Sequence, residues 1–392
     1  MKPMTRPPAA LNQPFPATPA GRKPVGQTVL VLQGGGALGA YQAGVYQGLS
    51  EAGIEPDWVI GTSIGAINAA LIAGNKPADR LDRLKEFWDR VRDRSPLKMS
   101  WLSMFGNAFA NFGTLATGVP GFFQPNPNAL WGIHYPAGPG LAAYYGTDPL
   151  KATLADLIDI DCLNSRAMRV TVGAVNVGTG EMRYFDSRDM RLDVPHIMAS
   201  GALPPAFPAI EIDGELYWDG GVYSNTPIEV VFDDKPRRDG LIFTVDLWQP
   251  HGAVPETLWQ VMNRQKDIQY SSRGLSHVAR QQQLHRLRHV VRELAARLPK
   301  DLGEDPMVAE LASYGCGTTM HLVRLLAPRL SHEDHTKDID FSAEGIGARW
   351  QAGYDYVRGV IDQEPWQCEV DALSGVLIHE MANEGSMTHE HA

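Results

Sequence analysis

Residues 61–65 read Gly-Thr-Ser-Ile-Gly, directly after Trp58-Val59-Ile60 and directly before the helix-forming run AINAALIA. A G-x-S-x-G between a strand and a helix is the setting a nucleophile elbow requires. The serine sits on a strained turn with its hydroxyl exposed, and small residues on either side let strand and helix approach. Ser63 is therefore a candidate nucleophile flanked by Gly61 and Gly65; the plainer role for it is a helix N-cap. A second cluster, Gly34 to Gly39, spells G-x-G-x-x-G after the apolar run TVLVL. Orphan N–H groups and the positive end of the macrodipole make a helix N-terminus favour negative charge. The loop thus suits an anion, either the pyrophosphate of a dinucleotide or a different one. A dinucleotide site expects an acidic residue about twenty positions on, at the end of the second strand. Here that strand ends in Gly61-Thr62-Ser63 and the nearest carboxylate, Asp57, precedes it, which removes the dinucleotide reading.

A serine hydroxyl is a weak nucleophile and needs a base. In the common triad the base is a histidine oriented by an acid, yet no histidine here carries a supporting motif. His196 falls inside a predicted helix, and His251 follows a proline after a strand. His277, His285 and His289 fall on a basic helix, where surface positions explain them. The carboxylate with context is Asp219, which follows the strand ELYW and precedes Gly220-Gly221 on a tight turn; the competing role is an ordinary turn aspartate. His332-Glu333-Asp334-His335 and His389-Glu390-His391 offer ligand types. H-E-x-x-H is absent, however, and the i,i+3 histidine pair lies in a polar loop, so neither metal nor cofactor is expected.

The elements that must position these groups alternate from Thr28 onward. TVLVL is followed by a helix from about Ala40 to Ala52, then DWVIGT, a helix from Ile64 to about Ala73, and a helix near 77–94. Continuous apolar strands with short connections predict a mainly parallel sheet covered by helices on both faces. Residues 99–146 then change character: few charges, many aromatics, glycines and prolines, and no periodicity. This segment reads as a long insertion, either a lid or wall for an apolar substrate or a loop packed on the core. Strand signals return at MRVTVGAVNV and GEMRYFDS, a helix starts near Val194, and AIEIDGELYWDGG predicts a hairpin turned at Asp213-Gly214. GLIFTVDLW closes the recognisable unit near Trp248. Residues 251–392 form a mostly helical extension, with a basic helix over 255–298 and another from Ser342 as N-cap to Ile361.

The 392 residues are 44% hydrophobic, enough to fill a substantial core. A formal charge of -10 argues against a broad contact with nucleic acid, which needs a basic face to release counterions. The 3 cysteines, Cys162, Cys316 and Cys368, are far apart, so a reducing cytosol fits better than a disulfide framework. Residues 1–26 read as a disordered proline-rich arm without the apolar run of a secretory signal. No stretch approaches the ~20 apolar residues that cross a bilayer. Peripheral contact through the basic amphipathic helix is the remaining membrane role.

The trio GGGALG, GTSIG and DGG, in that order on an α/β chain, resembles the patatin-like phospholipase family, whose members use a Ser-Asp dyad without histidine. The resemblance covers about residues 27–250; ASGALPPAFPAI and DGGVYSNTPI also match segments flanking the family's aspartate. It implies a three-layer sandwich, with Ser63 as nucleophile, Asp219 as general base and N–H donors from Gly34, Gly35 and Gly36 facing an oxyanion. Gly39, Gly61, Gly65, Gly220 and Gly221 support these motifs. Leu38 departs from the pattern, since many members carry Arg or Lys there, and the backbone donors are independent of that change. KDIDFSAEGIGARWQAGYDYV resembles a segment that some bacterial members append. The activity so implied is hydrolysis of lipid acyl esters through an acyl-enzyme, without cofactor. The rival is a non-catalytic lipid-binding or scaffolding protein on the same fold.

Overall fold

The computed structural model describes residues 26–92, 117–299, 305–330, 336–370 and 373–381, with Gly303 and Glu333. Residues 1–25 of the expected arm, residues 99–116 of the insertion, and His332, Asp334, His335, His389, Glu390 and His391 lie outside the described residues, as do residues 93–98.

Eleven strands are described: β1 (Gln27–Leu32), β2 (Trp58–Thr62), β3 (Gln124–Pro125), β4 (Tyr145–Gly146), β5 (Arg169–Asn176), β6 (Met182–Asp186), β7 (Ile210–Ile212), β8 (Glu215–Asp219), β9 (Gly240–Asp246), β10 (Met320–Leu326) and β11 (Val376–Glu380). Nine of them form one sheet in the order β11-β10-β9-β1-β2-β5-β8-β7, with β6 also on β5, while β3 and β4 pair apart. From β11 to β5 every neighbour is parallel; β6 and β8 pair antiparallel with β5, and β7 pairs antiparallel with β8. Side chains alternate across the pleat. Leu30 and Leu32 of β1 thus enter the larger core with helices α1 (Ala40–Glu51) and α2 (Ile64–Ala73), and Val29 and Val31 enter the smaller core on the other face with Val278 of the long helix Leu258–Ala296. Burial on both faces is why these strands read as unbroken apolar runs.

The expected helices appear, including Ala343–Gln363, whose N-cap Ser342 accepts from the Gly345 N–H at 3.0 Å. Two findings depart from expectation. The sheet does not close at β9: residues beyond 250 add β10 and β11 to it, covering an edge whose N–H and C=O groups would otherwise be unpaired. The strand MHLVRLL carried no clear signal because His321 and Arg324 occupy buried positions in it. Arg324 is accommodated there by Asp246 at 2.7 Å and Glu380 at 3.0 Å. Second, helix Ala343–Gln363 packs backbone to backbone on α1, so close that a Cβ at Gly353 would stand 2.1 Å from the Tyr41 carbonyl oxygen. Among the described residues no helix is long and apolar enough to cross a membrane.

Candidate active site

Ser63 and Asp219, distant in sequence, meet because β2 and β8 share one edge of β5. Thr62 is opposite Gly173 and Asp219 is opposite the next residue, Ala174. The other edge at both positions is taken by β6. β2 runs parallel to β5 and β8 antiparallel, so their C-terminal ends converge, and Ser63 emerges beside Asp219.

Ser63 has φ 57° and ψ −126°, a left-handed conformation rare for a residue with a side chain. The turn holds because both N–H partners come from one residue: the Ser63 N–H meets the Ser200 carbonyl at 3.0 Å and the Ser200 hydroxyl at 3.1 Å, and that hydroxyl donates to the Gly173 carbonyl at 2.6 Å. The flanking glycines are sterically required, since a Cβ at Gly61 would lie 2.2 Å from the Gly65 carbonyl oxygen and one at Gly65 would lie 2.2 Å from that of Leu32.

Asp219 is 1% exposed. Its carboxylate accepts the Gly221 N–H at 2.7 Å. Burial pushes its pKa up to about 7, against the opposing pull of the nearby Ser63 side chain and of the Gly221 N–H. Desolvation thus dominates, and the group sits poised between protonated and ionised at neutral pH.

The glycine loop follows β1 and opens into a short 3-10 turn leading to α1. Of the three expected donors, Gly34 is already engaged: its N–H donates to the Asn225 carbonyl at 3.1 Å. Its own carbonyl accepts from Trp248 Nε1 at 2.8 Å and Asn225 Nδ2 at 3.1 Å. Gly34 therefore anchors the loop, and among the described residues no hydrogen bond engages the Gly35 and Gly36 N–H groups. Gly36 has φ 55°, and a Cβ there would strike the Asp338 carbonyl oxygen at 2.2 Å. Of the remaining motif glycines, Gly39 packs on Ile64, Gly220 on the Gly173 carbonyl and Gly221 beside Asn225.

Ser63, Asp219, Gly34, Gly35 and Gly36 line a cleft of about 860 Å³ including its mouth. Its far walls are apolar: Phe122, Phe123 and Tyr145 from the insertion, Leu203 and Phe207 on either side of Pro204-Pro205, and Tyr270, Ile339 and Phe341 from beyond residue 250. The rings pack edge-on or tilted, with Phe122 and Phe341 centroids 5.6 Å apart and Phe123 and Phe207 5.5 Å apart. The last group is held by a buried ion pair, Lys337 to Asp267 at 2.7 Å, with side-chain exposures of 3% and 1%. Lys337 Nζ also lies 5.2 Å over the Trp248 ring, the ring that holds Gly34.

Several of these residues escaped the sequence reading. Ser200 and Asn225 sit inside the matched segments ASGALPP and SNTP, where their position was the available signal. Lys337 and Asp267 had none. No histidine is among the described residues lining the cleft. His196 closes a capping box with Asp193. His285 and His289, expected at surface positions, are instead 0% and 6% exposed beneath the long helix, with His285 against Phe232 and His289 bonded to the Thr318 carbonyl at 2.9 Å. The helix packs two of its polar positions inward, which an amphipathic pattern does not reveal.

The model of a family described as patatin-like phospholipase matches residues 30–232, and a second, described as patatin phospholipase, matches residues 268–373. An uncharacterized NTE family protein of Mycobacterium tuberculosis is 31% identical over 219 residues, 56% of this chain and 30% of that protein. Lysophospholipase nte1 of Aspergillus terreus is 57% identical over 53 residues, 13% of this chain and 4% of its own length. Among solved structures, VipD from Legionella pneumophila aligns over 87% of this chain and 67% of that one, at 15% identity and a TM-score of 0.37.

Proposed function

The chain belongs to the patatin-like phospholipase family, and on that premise we propose that it hydrolyses acyl esters of lipids through a Ser63-Asp219 dyad. The observation that carries this reading is the convergence of Ser63, on its strained turn, and the buried Asp219 carboxyl on one wall of a cleft without a described histidine. Asp219 takes the Ser63 proton as Oγ attacks the ester carbonyl. The charge developing on oxygen is received by the Gly35 and Gly36 N–H groups at the start of the helical turn. One such donor is worth ~3 kcal/mol in the transition state. The alcohol leaves with the proton, and Asp219 then activates water to release the acid from Ser63.

The aromatic cleft supplies the place for the acyl chain. Outside it, residues 117–147 contain no Asp, Glu, Lys or Arg, and Leu130, Trp131 and Ile133 are 89%, 73% and 84% exposed. This loop is tied to the cleft wall by the Tyr144 and Tyr145 N–H groups, which donate to the carbonyls of Pro205 and Ala206 at 3.1 and 2.9 Å. An uncharged apolar tip next to an acyl cleft suits peripheral contact with a lipid surface better than the basic helix does. The test of the reaction is chemical: Ser63→Ala and Asp219→Asn each abolish hydrolysis of p-nitrophenyl acyl esters, and a fluorophosphonate probe labels Ser63 in the parent chain. Residual turnover by Ser63→Ala at the parent rate would sink the mechanism.

A further inference from the structure

We infer that His321, His379 and Cys368 form a site for one zinc-class divalent ion at the C-terminal edge of the sheet, away from the ester-cleaving cleft. One nitrogen of each imidazole and the Cys368 Sγ lie within 4.8 Å of one another. Three separate segments bring them there. β10 and β11 are parallel, with His321 opposite Leu377 and His379 opposite Val323, so both histidines project from one face of the sheet, two residues apart. Val323 and Leu325 share that face and pack with Val357, Ile361 and Trp366 of the covering helix and the turn after it. Cys368 follows Trp366 in that turn and is exposed, with a free thiol.

His321 Nδ1 and His379 Nε2 are 3.0 Å apart. The ring planes differ by 6° and the centroids are 5.3 Å apart, so the rings meet nitrogen to nitrogen rather than face to face. A bridging hydrogen fills that gap. A tetrahedral zinc ion with ~2.05 Å bonds sets its nitrogens about 3.3 Å apart, each bond about 35° off the line joining them, so the imidazoles need to part by a few tenths of an ångström and each turn by about that angle, while the exposed thiol swings in. On binding, the thiol proton leaves to solvent and the bridging hydrogen moves to the other nitrogen of its own ring. Two imidazoles and a thiolate make a donor set for zinc or a similar borderline-soft ion, and one that magnesium and calcium, which take oxygen ligands, do not favour. A fourth position stays open to water. The ion would tie the turn after the covering helix to β11, which among the described strands has a neighbour on one side only.

The full-length chain, stripped with a chelator, is titrated with Co²⁺ as a spectroscopic probe and with Zn²⁺ in competition against a chromophoric chelator. The expected result is one equivalent bound, a thiolate-to-cobalt charge-transfer band, a raised unfolding midpoint with Zn²⁺, and unchanged ester hydrolysis. Cys368→Ser, at an exposed position, removes the charge-transfer band, and Cys368→Ser with His379→Gln weakens Zn²⁺ binding by about tenfold or more. Absence of saturable binding overturns the inference and leaves only a hydrogen-bonded imidazole pair. So does undiminished Zn²⁺ affinity in the double variant, which would put the ion on other histidines.

Discussion

Asp219 is held in an environment that favours its protonated form, while the proposed chemistry needs it ionised. With a pKa near 7, half of the molecules carry the base form at neutral pH, a good match between availability and basicity. The acid limb of kcat/KM for a soluble ester should therefore fall with an apparent pKa near 7, well above an ordinary carboxylate; a limb near 4 would reject the desolvated base. Stability moves the other way. Below about pH 4 the carboxyl is protonated in both folded and unfolded chains and costs nothing. As pH rises from there to about 7 the unfolded chain ionises first, so the folded state loses stability, on the order of 4 kcal/mol at most. Asp219→Asn should consequently unfold at a higher temperature than the parent at pH 8 and at a similar one at pH 4, although it is inactive. Equal midpoints at both values would show that burial of this carboxyl is not costly. Both the serine and the aspartate were legible in sequence as residue types on glycine turns. The shift at Asp219 was not, because burial is a property of what packs around the residue.

Turns and caps were the most readable elements. The helix bounds at Ile64–Ala73 and the Ser342 cap follow from local chemistry, as does the hairpin at Asp213-Gly214, whose φ values are 54° and 82°. Less readable was the insertion, where aperiodic sequence left wall and core packing as alternatives. Its described part does both: Phe122 and Phe123 are 8% and 5% exposed in the core cluster and line the cleft, while the 130–133 tip is bare. The role proposed for that tip separates two assays. Leu130→Asp with Trp131→Glu, both at exposed positions, should leave turnover of a short soluble ester within about twofold and cut turnover of phospholipid in vesicles by tenfold or more, with a parallel loss in vesicle co-sedimentation. An equal loss in both assays would instead place these residues in the folded wall.

Across the whole molecule the segment beyond residue 250 is continuous with the rest. It supplies two strands to the central sheet, a helix to α1, and Tyr270, Ile339 and Phe341 to the cleft. Its hold near the glycine loop rests on the buried Lys337–Asp267 pair; Asp267 has a second partner in the half-exposed Arg329 at 3.3 Å, so removing Lys337 leaves the buried carboxylate with that arginine alone, at a cost of up to about 3–5 kcal/mol. Lys337→Met should lower the unfolding free energy by that order in denaturant titration, and in the remaining folded enzyme it should lower kcat more than it raises KM, since Trp248 and Gly34 lose their support. Lys337→Met with Asp267→Leu should recover much of the stability; failure to do so would mean the pair is not coupled. The sequence by itself determined the elbow, the glycine loop and the aspartate turn, because steep turns, glycine approach and helix caps are decided by a few adjacent residues. Only the tertiary structure decided that Ser63 and Asp219 meet on one edge of β5, that the Gly34 donor is already engaged, and that His321, His379 and Cys368 converge. Those outcomes depend on strand register and burial, which are set cooperatively by contacts between residues far apart in the chain.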